Sequence, residues 1–143
     1  MCSLFVGGLL SFAPMFSVAQ SQSAMEAYLC TLNDGKSMSD LMEVVEDWND
    51  WSDEKGITSY SAWVLNPIFV SNADLNRQAL WMGVAPSFKE LAATMGTWYS
   101  SGGELLQDFN EVWTCNTHME MTAMMVRPPS GEPSGSPVAS FYD

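Results

Sequence analysis

The sequence predicts one α+β domain whose strands and helices follow the order β-α-β-β-α-β. Four stretches have the composition of strands, and two regions carry apolar residues at helical spacing. Turn residues separate these segments, and 143 residues with 47% hydrophobic content suffice for one compact core. This order is the ferredoxin-like pattern, an antiparallel sheet with helices on one face, in which the first strand is central and pairs with the last.

The first strand is expected over Met25–Leu32, because turn residues follow at Asn33-Asp34-Gly35. Ser37 or Ser39 can cap the first helix, and Gly56 ends it. The apolar positions of this helix are Leu41, Val44, Val45, Trp48 and Trp51.

The second and third strands are expected to follow over Tyr60–Val70 and Gln78–Ala85, with a polar loop, Asn72–Arg77, between them. The second strand is interrupted at Asn66-Pro67, since proline has no N–H to donate to a neighbouring strand.

The second helix is predicted to begin with the capping box Ser87-Phe88-Lys89-Glu90 and to be broken at Gly102-Gly103. The last strand is expected over His118–Val126. The apolar residues of the helix are Leu91, Met95, Trp98 and Tyr99 before the break, and Leu105, Leu106, Phe109, Val112 and Trp113 after it.

Both ends of the chain are expected to lie outside the domain, which spans residues 25–127. Residues 1–19 have an apolar run followed by Ser17-Val18-Ala19, which predicts a signal peptide cleaved after Ala19. No Lys or Arg precedes the run, which is expected if the start is misplaced or the leader is unusual. A buried N-terminal helix is the alternative interpretation. Residues 128–143 are rich in Pro, Gly and Ser and are expected to form a disordered tail. The protein is therefore expected to be periplasmic or secreted, without a stable membrane anchor after cleavage.

The charge of the chain excludes some classes of partner. With 17 acidic and 5 basic residues the formal net charge is −12, and nucleic acids and anionic membranes are bound through clustered Lys and Arg. An acidic, well-solvated surface is the simplest interpretation.

Three interpretations of Cys115 and His118 are open: half of a metal site, a nucleophile with its base, or one end of a disulfide beside an unrelated histidine. Cys30 lies near the end of the first strand and Cys115 just before the last, so antiparallel pairing brings them together. An exported chain without Cys2 keeps two cysteines in an oxidising compartment, which favours a Cys30–Cys115 disulfide over free thiols.

The metal and nucleophile interpretations are weaker. A zinc site needs more ligands than this pair supplies, and residues three apart on a strand point to opposite faces. His118 alone remains a candidate general base with Glu120 and Thr122 on its face, although a structural histidine is more common. Asp47–Glu54 resembles a calcium loop, but Trp51 occupies a ligand position. No metal or cofactor is therefore predicted.

Aromatic residues of the strands and of the second helix are expected to line a pocket between the sheet and the helices, for which ordinary core packing is the competing interpretation. The predicted pocket residues are Trp63, Asn66, Trp81, Trp98, Tyr99 and His118. No phosphate loop, Ser-His-Asp set or HExxH motif is present, so no catalytic residue is predicted.

Both faces of the predicted sheet are largely apolar, although the topology supplies helices for one face only. A homodimer that packs sheet against sheet is the expected cover for the other face. The alternative cover is the tail, through Phe141 and Tyr142.

The stretches YLCTLNDGKSMSDL, SAWVLNPIFV, ALWMGV and GGELLQDFNEVWTC resemble a group of uncharacterised exported bacterial proteins with ferredoxin-like domains. More distantly, the architecture is similar to the dimeric α+β barrel superfamily, which includes small cofactor-free monooxygenases. This resemblance implies fold and export and carries over no catalytic residue.

The sequence thus predicts an exported binding or interaction module that acts as a homodimer and has room for a small-molecule ligand. The alternative is a small cofactor-independent enzyme, of the monooxygenase or isomerase kind, with an aromatic pocket. An enclosed volume of ~300 Å³ or more with convergent polar groups would favour the enzyme, whereas a filled core would favour the module.

Overall fold

A computed structural model describes residues 22–68 and 73–126 of the chain. The predicted signal peptide, residues 1–19, and the predicted tail, residues 128–143 with Phe141 and Tyr142, lie outside the described residues. Among the helices that are described, none has the length and apolar character needed to cross a membrane.

The structure is a four-stranded antiparallel sheet with three helices packed on one face, which confirms the predicted ferredoxin-like fold. The strands lie in the order β2-β3-β1-β4, so β1 is central and pairs with the last strand. The elements are β1 Gln22–Leu32, α1 Met38–Glu54, β2 Ser61–Leu65, a 3₁₀ turn Ala73–Arg77, β3 Gln78–Ala85, α2 Phe88–Ser101, α3 Gly103–Val112 and β4 Trp113–Met124.

The helix ends follow local chemistry. The Ser37 side chain caps α1 by accepting from the backbone N–H of Asp40, and the Asp40 carboxylate accepts from the Ser37 N–H at 2.7 Å. These hydrogen bonds lower the pKa of the exposed Asp40 carboxyl. Ser87 caps α2 through the N–H of Glu90, and Gly102 separates α2 from α3 as predicted.

Several strand ends were predicted wrongly. β1 begins at Gln22 instead of Met25, and β4 ends at Met124 instead of Val126. β2 stops at Leu65 instead of continuing to Val70, because Asn66-Pro67 follows directly. β4 begins at Trp113 instead of His118, because its pairing with β1 continues to Leu32. Trp113 therefore belongs to β4 and not to the preceding helix, and its side chain is buried against Phe109.

The two faces of the sheet have different surroundings. The face towards the helices carries Tyr28 and Trp81, which pair across β1 and β3, and the main core lies between this face and the helices. On the other face, called here the open face, the apolar side chains other than the buried Ala27 remain partly exposed, and no described helix covers them. This face includes Met25, Ala27, Leu29, Trp63, Leu65, Leu80, Met82, Val84, Met119 and Met121.

Candidate functional site

A cavity of about 200 Å³ lies between the helix face of the sheet and the three helices. Its walls are mostly aromatic and come from every helix and from β1, β3 and β4. They comprise Glu26, Tyr28, Trp48, Trp51, Tyr60, Trp81, Thr94, Met95, Trp98, Tyr99, Leu106, Phe109, Asn110, Trp113 and Cys115. The cavity is smaller than the ~300 Å³ at which drug-sized ligand sites begin. An apolar cavity of about 150 Å³ nevertheless accepts a benzene molecule.

The aromatic walls are held by edge-to-face contacts. The ring of Trp81 lies 4.9 Å from that of Trp48 at an interplanar angle of 80°, and 5.9 Å from that of Phe109. The rings of Trp51 and Trp98 also meet edge to face, with their centroids 5.2 Å apart. Such contacts add to the stability gained by burying the rings, so the cavity has walls of defined shape.

Glu26 is a carboxylate buried at the wall of this cavity, with 2% of the residue exposed. Its Oε1 accepts a hydrogen bond of 2.5 Å from the Tyr60 hydroxyl, which in turn accepts one of 2.9 Å from Nε1 of Trp81. Tyr60 lies where a side chain at position 83 would stand, since a Cβ on Gly83 would come within 1.8 Å of its hydroxyl oxygen. Glycine at this position therefore allows Tyr60 to reach Glu26.

His118 connects the other carboxylate oxygen of Glu26 to the surface. Its Nε2 lies 3.4 Å from Oε2 of Glu26, and its side chain is 36% exposed whereas that of Glu26 is 3% exposed. The imidazole stacks on the Tyr28 ring with centroids 4.1 Å apart. The buried carboxylate thus has a titratable neighbour in contact with solvent.

Two phenols at the site stay protonated well beyond neutral pH. Burial, followed by the negative charge of Glu26, raises the pKa of Tyr60 far above its usual range. The same two causes raise the pKa of Tyr28, with a smaller contribution from Tyr99. Tyr60 is therefore fixed as a hydrogen-bond donor to Glu26.

A β-bulge brings Cys115 and His118 to the same face of the sheet. Leu29 pairs with Thr117 and Cys30 with Cys115, so Asn116 is an extra residue between them. The expectation that Cys115 and His118 point to opposite faces was therefore wrong, since it assumed a regular strand. The observed partner of His118 is Glu26 on β1, and Glu120 lies opposite Glu26 across the two strands.

The predicted Cys30–Cys115 disulfide is present, with Cα atoms 3.9 Å apart. It ties the central strand β1 to β4 beside the bulge, and it removes Cys115 as a metal ligand or nucleophile. Within residues 22–68 and 73–126, no group of three or more His, Cys, Asp and Glu side chains is arranged to hold a metal ion.

Two buried side-chain polar atoms of the described residues lack a hydrogen-bond partner, and both belong to residues of the cavity wall. They are Oε2 of Glu26, an acceptor, and Nε1 of Trp51, a donor. Buried polar groups are nearly always hydrogen-bonded, so each of these two atoms has a free position for a water molecule or a ligand atom.

The structure places three of the six predicted pocket residues, Trp81, Trp98 and Tyr99, in the cavity wall. Trp63 is outside it because Trp63 pairs with Met82, one residue from Trp81, and so lies on the open face. Asn66 is exposed after the end of β2. His118 adjoins the site through Glu26 without lining the cavity.

Glu26 and Tyr60 were not among the residues predicted for the pocket. Glu26 had a detectable signal, because it stands two residues from Tyr28 and four from Cys30 on one strand, so the three side chains point to the same face. A carboxylate on the core-facing side of an apolar strand is rare unless it has partners. Tyr60 had no comparable signal.

No protein-family model matches the chain, and no curated protein matches it in sequence. Several solved structures are similar to it in fold. SnoaB, a cofactor-independent oxygenase from Streptomyces nogalater, has a TM-score of 0.53 at 10% identity, covering 76% of this chain and 99% of SnoaB. A hypothetical protein of Arabidopsis thaliana, solved in solution, has a TM-score of 0.52 at 9% identity, covering 77% of this chain and 94% of its own. At such identities the likeness shows a shared fold and nothing beyond it.

Proposed function

We propose that this protein binds a small, flat and largely apolar molecule in the aromatic cavity, and that the ligand donates a hydrogen bond to Glu26. The observation that carries this proposal is the buried Oε2 of Glu26, which lacks a hydrogen-bond donor beside an apolar space. A buried acceptor without a donor costs about 1–3 kcal/mol, and a ligand hydroxyl would remove that cost.

The size and the walls of the cavity restrict the ligand further. A volume of about 200 Å³ suits a molecule with one ring and a few substituents. The aromatic walls offer ring faces and edges to it. Met95 and the 70% exposed Tyr99 line both this cavity and an open groove beside α2, which gives the ligand a path from solvent.

Phenol and toluene test this function, because they are similar in size and only phenol has a hydroxyl. Calorimetric titration should show phenol binding to the parent protein. Glu26→Gln should weaken phenol binding by about tenfold or more, since hydrogen bonds to charged groups contribute about 1.5–3 kcal/mol. Toluene affinity should change little.

Glu46→Gln is the matched control, because Glu46 is exposed on α1 away from the cavity and makes the same change of charge. It should leave phenol affinity at the parent value. The absence of binding by both probes, or equal phenol affinity of the parent and Glu26→Gln, would contradict the proposed function.

A cofactor-independent enzyme is the second candidate. The cavity of about 200 Å³ is below the ~300 Å³ expected for it, and the contact between Glu26 and His118 is the observation in its favour. SnoaB shares the fold and is itself a cofactor-independent oxygenase. An enzyme of this kind would use the same cavity and the same ligand contacts. Ligand binding in the cavity is therefore the first step of both candidate functions.

We also propose that the protein is exported, as the resemblance to exported bacterial proteins implies, and that it acts as a homodimer through the open face. The disulfide is consistent with an oxidising compartment. The exported chain should begin at Gln20; an intact Met1 on the purified native protein would contradict cleavage.

A further inference from the structure

We propose that the cavity is a proton-transfer site for small cyclic ketones, in which Glu26 removes a proton from the carbon beside the carbonyl group and Trp51 donates a hydrogen bond to the carbonyl oxygen. This inference rests on the ligand-binding function proposed above. It follows from two buried polar atoms that lack a hydrogen-bond partner and belong to residues of the cavity wall: Oε2 of Glu26, an acceptor with His118 Nε2 at 3.4 Å, and Nε1 of Trp51, a donor.

Glu26 has the surroundings of a general base. The hydrogen bond from Tyr60 engages Oε1 and holds the carboxylate in one orientation, while Oε2 has no hydrogen-bond donor. A base must lie within hydrogen-bond reach of the proton that it abstracts, and a ligand in the cavity adjoins this residue. Oε2 is therefore the atom that receives the proton.

Trp51 supplies the donor that such a reaction requires. As the proton leaves, negative charge develops on the carbonyl oxygen of the substrate, and a fixed donor in a site with little water stabilises that charge. Nε1 of Trp51 is buried without an acceptor, and the indole is fixed against Trp98. This donor needs no rearrangement during the reaction.

His118 provides exchange with solvent. Its Nε2 lies 3.4 Å from Oε2 of Glu26, and the side chain is partly exposed. Once Glu26 is protonated, His118 can accept that proton and pass it to water. Three other titratable groups adjoin the pair: Tyr28 stacked on the imidazole, Tyr60 on Oε1 and Glu120 across from Glu26.

The reaction is balanced without another reactant. A C–H bond of the substrate breaks, an O–H bond forms on Glu26, and the electron pair moves into an enolate whose oxygen faces Trp51. Return of the proton to the same carbon gives exchange. Return to the far carbon of an unsaturated ketone gives the conjugated isomer, so a β,γ-unsaturated ketone is the substrate class that yields a net product.

β,γ-Cyclohexenone is the probe, because its single ring suits the cavity and its conversion to the α,β-isomer is followed by ultraviolet absorbance. The parent protein should accelerate this conversion above buffer. Glu26→Gln should lower kcat about 100-fold or more, as expected for a lost general base. Trp51→Phe should lower kcat by a similar factor, as expected for a lost oxyanion donor.

Toluene affinity shows whether each variant keeps its cavity, and Glu46→Gln should keep the parent kcat.

His118→Gln, a change in a positioning residue, is tested separately by running the reaction in D₂O and measuring the deuterium content of the product. The product should contain less deuterium than with the parent, because the abstracted proton is returned before it exchanges. A structural role of His118 would lower the rate without changing deuterium content, and unchanged deuterium content would overturn the role given to His118.

The outcomes separate the two claims about the cavity. Binding of phenol or toluene without acceleration of the β,γ-cyclohexenone reaction would overturn proton transfer and leave the binding function standing. A Glu26→Gln variant that binds toluene and keeps the parent kcat would also overturn it. Failure of all three molecules to bind would refute the binding function itself.

Discussion

At the scale of single residues, the chemistry of the site depends on how Glu26 is held. A buried carboxylate is costly unless hydrogen bonds or charges compensate it. Tyr60 compensates one oxygen and His118 lies close to the other. Because Trp81 in turn donates to the Tyr60 hydroxyl, the phenol has a fixed orientation.

The phenols of Tyr28 and Tyr60 give a prediction about alkaline pH. Burial and the charge of Glu26 raise both pKa values in the folded protein, whereas a phenol in the unfolded chain ionises near pH 10. Above about pH 10 the unfolded state therefore loses protons that the folded state retains, so the free energy of unfolding falls as pH rises. Below that pH these two residues should cause no change in stability.

The ionisation of the two phenols is measured by phenolate absorbance, compared between the parent, Tyr28→Phe and Tyr60→Phe. Near pH 10 the three folded proteins should absorb equally, because neither residue contributes phenolate. After unfolding at the same pH, each variant should absorb less than the parent. Greater absorbance of the folded parent than of the folded variants would contradict the raised pKa values.

Residue patterns anticipated part of the site. The tryptophan on β3 and the aromatic residues on α2 were assigned to a pocket from their positions, and Trp81, Trp98 and Tyr99 do line the cavity. Trp63 was misplaced because neighbouring strand residues face opposite ways, so one residue of register decides between cavity and open face.

At the scale of elements, features with local causes were predictable and features that depend on pairing were not. The caps at Ser37 and Ser87 and the break at Gly102 follow from nearby residues. The start of β4 and the bulge at Asn116 arise from the register with β1, which no local pattern encodes. The contact between His118 and Glu26 depends on that bulge, so the sequence did not indicate it.

The disulfide between β1 and β4 gives a prediction at this scale. Its cysteines are 85 residues apart in sequence, so the cross-link restricts most of the unfolded domain. Changing both, Cys30→Ser with Cys115→Ser, should lower the free energy of unfolding by about 3–5 kcal/mol on the chain-entropy model. Urea unfolding of the oxidised parent and the double variant measures the difference. A reduced parent serves as the control and should resemble the variant; equal stability of oxidised parent and variant would contradict the prediction.

At the scale of the whole molecule, the sheet separates two surfaces with different surroundings. The cavity lies against its helix face, and its open face presents partly exposed apolar side chains, among them Leu29 at 38% and Met119 at 44% exposure. The strands do not alternate apolar with polar residues, which predicted that both faces are largely apolar, and the structure agrees. Contiguous apolar surface of this kind is uncommon on soluble monomers unless a partner covers it.

Assembly is the last prediction, and Met82 is the position that tests it. Met82 pairs with Ala27 and Trp63, so it lies within the open face. In a dimer that packs open face to open face, Met82→Glu would bury an unpaired carboxylate, which costs several kcal/mol. Light scattering at micromolar concentration should therefore show a dimer for the parent and a monomer for Met82→Glu. Met42→Glu, the same change at an exposed position on α1, should remain dimeric. Truncation after Arg127 should also leave the dimer intact, because the proposed cover is a second copy and not the tail. A monomeric parent, or a dimer that requires the tail, would refute the proposed assembly.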